Sequence, residues 1–92
     1  EAYLQLGFLY LFLNKIGQAI GEFQRLLSGS PSFAQGHYHL GLAYLARRNL
    51  SLARRELQEA LRLNPGLSQG RLALADLHYL AGSYDQAMEQ GV

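Results

Sequence analysis

Ninety-two residues suit one small domain, and an apolar fraction of 49% is sufficient for a hydrophobic core, which excludes a chain that is disordered throughout. Eight basic residues against seven acidic ones give a net charge of +1, so no global field directs the protein toward nucleic acid or an anionic membrane. The absence of cysteine excludes disulfides, thiolate metal sites and cysteine nucleophiles, and it leaves the compartment undecided between cytosol and bacterial periplasm.

The chain opens with an apolar run at residues 3–13, which predicts a buried helix. The run is far shorter than the roughly 20 residues that cross a bilayer. It contains Gly7, and Gly41 lies in a similar run, LGLAY, at residues 40–44. A glycine inside a helix costs about 1 kcal/mol relative to alanine, so we expect both positions to require the missing side chain.

The next helices are predicted from their ends and their spacing. The second helix contains Gly17 and Gly21 and has no good N-cap residue, so it should be the loosest of the complete helices. Ser32 and Gln35 form a predicted capping box that opens a helix running to about Arg47. Apolar residues then keep helical spacing over residues 51–63, and the Asn-Pro-Gly sequence at 64–66 ends that helix.

The last part of the chain, from Ser68, predicts one more helix, a turn and the start of another. The turn is expected at Gly82 and Ser83, and Ser83 with Gln86 forms the predicted capping box of the following helix.

These elements repeat with a period of 34 residues. Residues 1–33 and 35–67 share nine identical pairs, which are Leu6/Leu40, Gly7/Gly41, Tyr10/Tyr44, Leu11/Leu45, Ala19/Ala53, Glu22/Glu56, Gln24/Gln58, Leu27/Leu61 and Pro31/Pro65. The third copy agrees mainly in pattern. In each copy a small residue precedes an alanine by 12 positions, the pairs being Gly7 and Ala19, Gly41 and Ala53, and Ala75 and Ala87. If the two helices fold back on each other, these pairs lie at the closest approach of the helix axes.

A 34-residue unit of two helices with this pattern resembles the tetratricopeptide repeat. The matching residues are Leu6, Gly7, Tyr10, Ala19, Phe23 and Pro31, then Leu40, Gly41, Tyr44, Ala53, Ala60 and Pro65, then Leu74, Ala75 and Ala87. The resemblance implies an all-α, right-handed superhelical array in one domain over residues 1–92. The repeats would occupy residues 1–33, 34–67 and, in part, 68–92.

The sequence departs from the family pattern at several positions. His37 and Arg71 stand at the usual tryptophan position, His78 replaces the tyrosine, and Gly91 stands where a bulky apolar residue is usual. No solvating helix follows the third copy. We therefore expect a segment of a longer array, or a chain that covers its ends by self-association.

The resemblance also implies that the first helix of each repeat lines a concave face that binds a protein or peptide partner. Helical spacing then gives a predicted partner-binding groove of twelve residues. They are Leu4, Phe8, Leu11 and Phe12 in the first repeat, Tyr38, His39, Leu42 and Leu45 in the second, and Leu72, Ala73, Asp76 and Tyr79 in the third. The set is mostly apolar, which suits a helix or an extended peptide carrying leucines or aromatic residues.

Two alternatives to an open groove remain at this level. The apolar side chains could cover one another across adjacent helices, as in a structural spacer, or a second copy of the chain could occupy them. The carboxylate clamp of chaperone-binding repeats is not expected, because Leu4, Phe8, His39, Gln69 and Ala73 stand at the corresponding positions.

Other functions find little support in the residues. His37 and His39 are two apart and point to different sides of a helix, so they cannot bind one metal together. His78 is expected to pack between helices, and His39 with Asp76 to form a polar spot rather than a catalytic or metal site. Arginines 47, 48, 54, 55 and 62 predict a solvated face, not a nucleic-acid interface. No enzyme activity, cofactor, metal, nucleic acid or membrane is expected.

Overall fold

The computed structural model describes the backbone of residues 2–89 and the side chains of residues 3–82. This part of the chain contains five α-helices and no strand: α1 (Ala2–Phe12), α2 (Ile16–Gly29), α3 (Ala34–Ala46), α4 (Leu50–Leu63) and α5 (Ser68–Glu89). Each helix packs on the next along the chain, and α3 also contacts α5. The predicted all-α class is confirmed. No helix in the described residues has the length and hydropathy needed to cross a membrane.

Two helical hairpins, α1–α2 and α3–α4, turn in the same way. Asn14 and Arg48 adopt left-handed backbone conformations with φ of 61° and 64°. The amide of the following residue donates to the carbonyl five residues earlier, Lys15 to Tyr10 at 2.7 Å and Asn49 to Tyr44 at 2.9 Å. These bonds define a Schellman motif, which satisfies carbonyls at the end of a helix. In both turns a residue other than glycine takes the left-handed position, and backbone hydrogen bonds end the first helix of the hairpin.

Large side chains fill the space left by Gly7 and Gly41. A Cβ atom at Gly41 would lie 2.9 Å from Leu57 Cγ and 3.3 Å from the Ala53 carbonyl oxygen, and one at Gly7 would lie 2.6 Å from Phe23 Cζ. Real Cβ atoms essentially never approach another atom within 3.0 Å, as the contacts with Leu57 Cγ and Phe23 Cζ would require, so each hairpin needs its glycine. The predicted proximity of Gly41 and Ala53 is confirmed. The side chain of Ala87, predicted to face Ala75, lies outside the described residues.

The core joins each hairpin to the helix that follows it. Ala19, Ile20 and Phe23 of α2 are buried together with Leu40 and Ala43 of α3. One period later, Ala53 and Leu57 of α4 are buried with Ala73 and Leu77 of α5. Because the main contacts of each helix within residues 2–89 are with near neighbours along the chain, the architecture is that of a helical-repeat solenoid.

The prediction that α1 is a buried helix is wrong. Its packed side contains Gly7 and Tyr10, but six large apolar residues of α1 and the following turn are exposed, namely Tyr3, Leu6, Phe8, Leu9, Phe12 and Leu13. The reason is that α2 packs on one side of α3, and α4 packs on the same side of α5. No helix among the described residues occupies that side of α1.

The predicted turn at Gly82 and Ser83 is also wrong, because α5 continues as one helix through both residues. The side chains of the proposed Ser83–Gln86 capping box lie outside the described residues, but no helix starts there. Phe23 and Leu57 hold the other hairpins closed, and the corresponding residue of the third copy is Gly91. A third hairpin would therefore have no large side chain to bury between its helices, and continuing the helix satisfies the backbone locally.

Two helix starts differ from the predictions. The N-cap of α3 is Phe33, with no side-chain cap bond, so the Ser32–Gln35 capping box is wrong. The turn is held instead by the Phe33 amide donating to the Ser30 carbonyl at 3.1 Å. At α4 the Asn49 side chain accepts from the Leu52 amide at 3.3 Å, a cap that the sequence reasoning missed. The predicted lack of a side-chain cap on α2 is confirmed at Lys15.

Candidate functional site

Half of the predicted groove residues lie together around one depression between α3 and α5. Its volume is about 190 Å³, and Gln69 completes the lining formed by Tyr38, Leu42, Leu45, Leu72, Ala73 and Asp76. A buried apolar cavity of about 150 Å³ holds a benzene molecule. The depression is therefore large enough for one large apolar side chain.

The depression has a fixed floor and an exposed rim. Tyr38, Leu42 and Leu45 are partly buried and pack against the second core cluster, of which Ala73 is a member. Leu72, by contrast, keeps 67% of its surface exposed. Because the floor residues pack on the core, their positions are set by the fold, and Leu72 is available for contact with a ligand.

Two polar residues flank this apolar surface. Gln69 and Asp76 lie one turn before and one turn after the Leu72–Ala73 pair on α5, and both are exposed. Asp76 makes no ion pair or side-chain hydrogen bond with any residue that the structure describes, and all eight Lys and Arg residues lie in that range. It is the one acidic residue of the predicted groove, and its side-chain oxygens are free to accept a donor from a ligand.

A second part of the predicted groove forms an aromatic cluster across α1 and α3. His39 packs edge-to-face on Phe8 and on Tyr38, with ring centroids 4.7 Å and 5.0 Å apart. It also stacks on the buried Phe23 at 6.0 Å, with 24° between the ring planes. Burial lowers the pKa of His39 below its ordinary value of 6.5, so the ring is neutral at neutral pH. The cluster is an apolar contact surface and not a cationic site.

The remaining predicted groove residues are apart from the depression. Leu4 and Leu11 pack against the first core cluster, whereas Phe12 and Tyr79 are exposed over 86% and 76% of their surfaces. No hydrogen bond or ion pair joins His39 and Asp76 in the described part of the chain, and the polar spot expected from that pair stays a prediction.

His78 does not occupy the position predicted for it. Its counterparts Tyr10 and Tyr44 are partly buried against the first core cluster, but His78 is exposed. The difference has the same cause as the missing third hairpin, since no returning helix covers this side of α5 in the described residues.

The sequence reasoning missed a contact that repeats with the 34-residue period. His37 Nε2 lies 2.8 Å from the Pro31 carbonyl, and Arg71 donates to the Pro65 carbonyl at 2.7 Å. Both residues stand six positions after a repeated proline and at the position where the family usually has tryptophan. That spacing was visible in the sequence and could have predicted a shared role in holding the turn between repeats.

His37 also joins two helices. Its Nδ1 lies 2.8 Å from Glu56 Oε1 on α4. Burial alone would lower the pKa of His37, but the hydrogen bonds with Glu56 and Pro31 and the charges of Glu56 and Glu59 outweigh it and raise the pKa above 6.5. This histidine therefore has a structural role in the described structure.

A larger depression, lined by residues of the first hairpin, offers fewer groups for binding a ligand. Its volume is about 390 Å³, and Tyr10, Gly17, Gln18, Gly21, Glu22 and Arg25 line it. The absent side chains of Gly17 and Gly21 account for much of the space. Arg25 donates to Glu22 at 2.6 Å, so the two charged residues that line the depression pair with each other. The Glu22 Oε1 atom has no partner, but it is inaccessible and so does not face the opening.

The basic residues of the second repeat do not indicate a particular ligand. Arg47, Arg48, Arg54 and Arg55 are exposed, and Arg62 donates to Glu59 at 2.9 Å. Among the described residues, no three His, Asp or Glu side chains are grouped so that they could hold a metal ion.

These features define a class of protein, an α-solenoid of helical hairpins with an apolar surface along its first helices. A family model described as "Tetratricopeptide repeat" matches residues 4–68 and 45–91. No curated protein sequence matches the chain significantly. The chain belongs to the tetratricopeptide repeat family and carries about two and a half repeats. The family is a non-catalytic repeat module that generally mediates protein–protein interaction.

Proposed function

We propose that this protein holds a peptide or a helix of a partner protein on the concave face formed by α1, α3 and α5. The observation that carries the proposal is the depression between α3 and α5, where an ordered apolar floor meets the exposed Leu72. Soluble proteins rarely expose a contiguous apolar surface that has no binding role. The aromatic cluster around His39 extends this surface toward α1.

The chemistry of the depression suggests which ligand would fit. One large apolar side chain would fill it, as an anchor residue does at the centre of an interface. Asp76 would then accept a hydrogen bond from a lysine or arginine near the anchor. The preferred ligand is a segment with a leucine-sized or aromatic anchor and a neighbouring basic residue.

Selection from a random peptide display library tests this proposal directly. Selected peptides should share the apolar anchor and the basic neighbour, and the Leu72→Glu variant should lose their binding. Leu9→Glu is the matched control, because Leu9 is an exposed leucine on a first helix but lies outside the predicted groove. Peptides that bind wild type and Leu72→Glu equally would exclude this face as the site.

A structural or self-associating segment is the second candidate function, and the exposed apolar residues of α1 favour it. Sedimentation of the wild-type chain separates the two. A stable dimer that the Phe8→Glu and Phe12→Glu variants dissociate would favour self-association, whereas a monomer that binds the selected peptides would favour the groove.

A further inference from the structure

His37 has a hydrogen-bond acceptor at each of its two ring nitrogens. The Nδ1 atom lies 2.8 Å from Glu56 Oε1 of α4, and the Nε2 atom lies 2.8 Å from the Pro31 carbonyl oxygen in the turn that joins α2 to α3. A neutral imidazole carries one N–H group, whereas an imidazolium carries two. Only the protonated ring can therefore donate both of these hydrogen bonds at once.

The surroundings of His37 favour the charged ring. Its side chain keeps 15% of its surface exposed and that of Glu56 keeps 20%, so water competes little for the bond between them. The charged groups within residues 3–82 that act on His37 are Glu56 and Glu59 of α4, whereas the turn presents only the uncharged Pro31 carbonyl. Arg62 pairs with Glu59. Burial lowers the pKa of His37, but the two hydrogen bonds and the carboxylates raise it above 6.5 overall, so the ring loses its proton on the alkaline side of that value.

Loss of the proton removes the bond to Pro31 rather than the bond to Glu56. A carboxylate is the stronger acceptor, so the remaining N–H group stays on Nδ1. The Nε2 lone pair then points at the Pro31 carbonyl oxygen, and two acceptors at this distance repel each other. The turn at residues 30–33 keeps its backbone bond from the Phe33 amide to the Ser30 carbonyl, but it loses the side-chain bond that joins it to α3.

The equivalent turn, one period later, is held by a cation that does not titrate. Arg71 donates to the Pro65 carbonyl at 2.7 Å. The backbone bond from the Leu67 amide to the Asn64 carbonyl has the same length, 3.1 Å, as its counterpart in the first turn. A guanidinium keeps its charge throughout the physiological range. The two turns thus share one backbone arrangement and differ in whether the side chain that holds them can lose a proton.

We propose that protonation of His37 fixes the turn between the first and second repeats to α3 and α4, and that deprotonation releases this turn while the turn between the second and third repeats stays fixed. The joint between the first two hairpins is then firmer in acidic than in alkaline solution. The inference uses neither the depression nor a ligand, so it does not depend on the proposed function.

Amide hydrogen exchange of the isotope-labelled full chain, measured by NMR at about pH 5 and about pH 9, tests the proposal. Each rate is divided into the intrinsic rate at the same pH, which removes the base catalysis of exchange. The Phe33 amide should lose protection roughly fivefold at the higher pH, the factor for one ordinary hydrogen bond, whereas the Leu67 amide should keep its protection. Constant protection of Phe33, or equal losses at Phe33 and Leu67, would overturn the proposal.

The ring nitrogen chemical shifts of His37, recorded in the same titration, show which bond is released. We expect the neutral ring to keep its proton on Nδ1, facing Glu56. A neutral ring with its proton on Nε2 would mean that the bond to Pro31 persists, and this result would also overturn the proposal.

Two variants separate the protonation of His37 from other effects of pH. His37→Arg places at this position the cation that the next turn uses, so the Phe33 amide should keep its protection at both pH values. Glu56→Gln offers Nδ1 an amide N–H group, so a neutral ring can still donate from Nε2 to Pro31, and protection should again persist. If His37→Arg does not fold, Glu56→Gln alone decides the question. A wild-type loss of protection that remains in the folded variants would contradict the role of His37.

Discussion

Gly41 and Gly21 both lie inside helices, but only Gly41 has a side chain against it. Glycine to alanine inside a helix ordinarily stabilises by roughly 0.5–1 kcal/mol. This gain is expected for Gly21→Ala, since a Cβ there meets nothing within 4 Å. In Gly41→Ala the new Cβ instead pushes Leu57 and the Ala53 carbonyl of α4 away from α3, and overpacking of this kind costs about 1–3 kcal/mol. Urea denaturation of the two variants should give shifts of opposite sign, and shifts of the same sign would contradict the packing at Gly41.

A second residue-scale prediction concerns pH. The folded-state pKa of His37 is raised, so the native protein binds this proton more tightly than the unfolded chain does. The stability that His37 contributes is therefore fully present below pH 6.5 and is lost as the pH rises through the folded pKa. The difference in free energy of unfolding between wild type and His37→Gln should decrease across that range.

Glu56→Gln is the matched control for this pH effect. It removes the carboxylate that faces His37 Nδ1, so it should remove much of the same pH-dependent difference. If the gap between wild type and His37→Gln instead widened with rising pH, the ion pair with Glu56 would not be the cause. Burial shifts the pKa of His39 in the opposite direction, so both histidines must be compared at each pH.

Sequence reasoning could predict the contacts that follow from the 34-residue repeat. Gly41 beside Ala53 follows from the 34-residue period and from the requirement for a close approach. The bond of His37 to Pro31 does not follow, because it depends on the path of the turn between repeats. The exposure of His78 could not be foreseen either, because it depends on a hairpin that does not close.

At the scale of the elements, the third repeat has a local preference for a turn that its tertiary packing does not support. By the 34-residue period, Gly82 is equivalent to Asn14 and Arg48, and both of those residues have positive φ. Glycine is the residue best suited to that conformation, so the sequence predicted a turn. The helix α5 continues because closure requires a large side chain packed between two helices, as Phe23 and Leu57 are in the other hairpins.

Gly82→Ala tests the continuous helix. A Cβ at Gly82 meets nothing within 4 Å, so alanine should raise helicity and stabilise by roughly 0.5–1 kcal/mol. In a left-handed turn the same change would destabilise. Arg48→Gly is the reciprocal control, because a non-glycine residue in the left-handed conformation costs roughly 1–2 kcal/mol. Circular dichroism and urea denaturation measure both variants, and a loss of stability in Gly82→Ala would indicate a turn.

For the whole molecule, the solenoid makes the stability of each helix depend on its immediate neighbours. Leu40 on α3 is covered by α2, whereas the equivalent Leu6 on α1 is not. The resemblance to a repeat family predicted the fold class and the apolar first helices, but it could not show which faces have a neighbour. That property belongs to the assembled array, and it explains why α1 was wrongly predicted to be buried.

Amide hydrogen exchange measures this dependence along the array. Residues 6–10 of α1 and 40–44 of α3, LGFLY and LGLAY, share the leucine, the glycine and the tyrosine, so their intrinsic helix preferences are similar. Because only α3 is packed on both sides, the amides of 6–10 should be less protected by roughly tenfold or more. Equal protection of the two segments in the free protein would mean that α1 already has a partner in solution, and sedimentation of the same sample would identify it as a second copy.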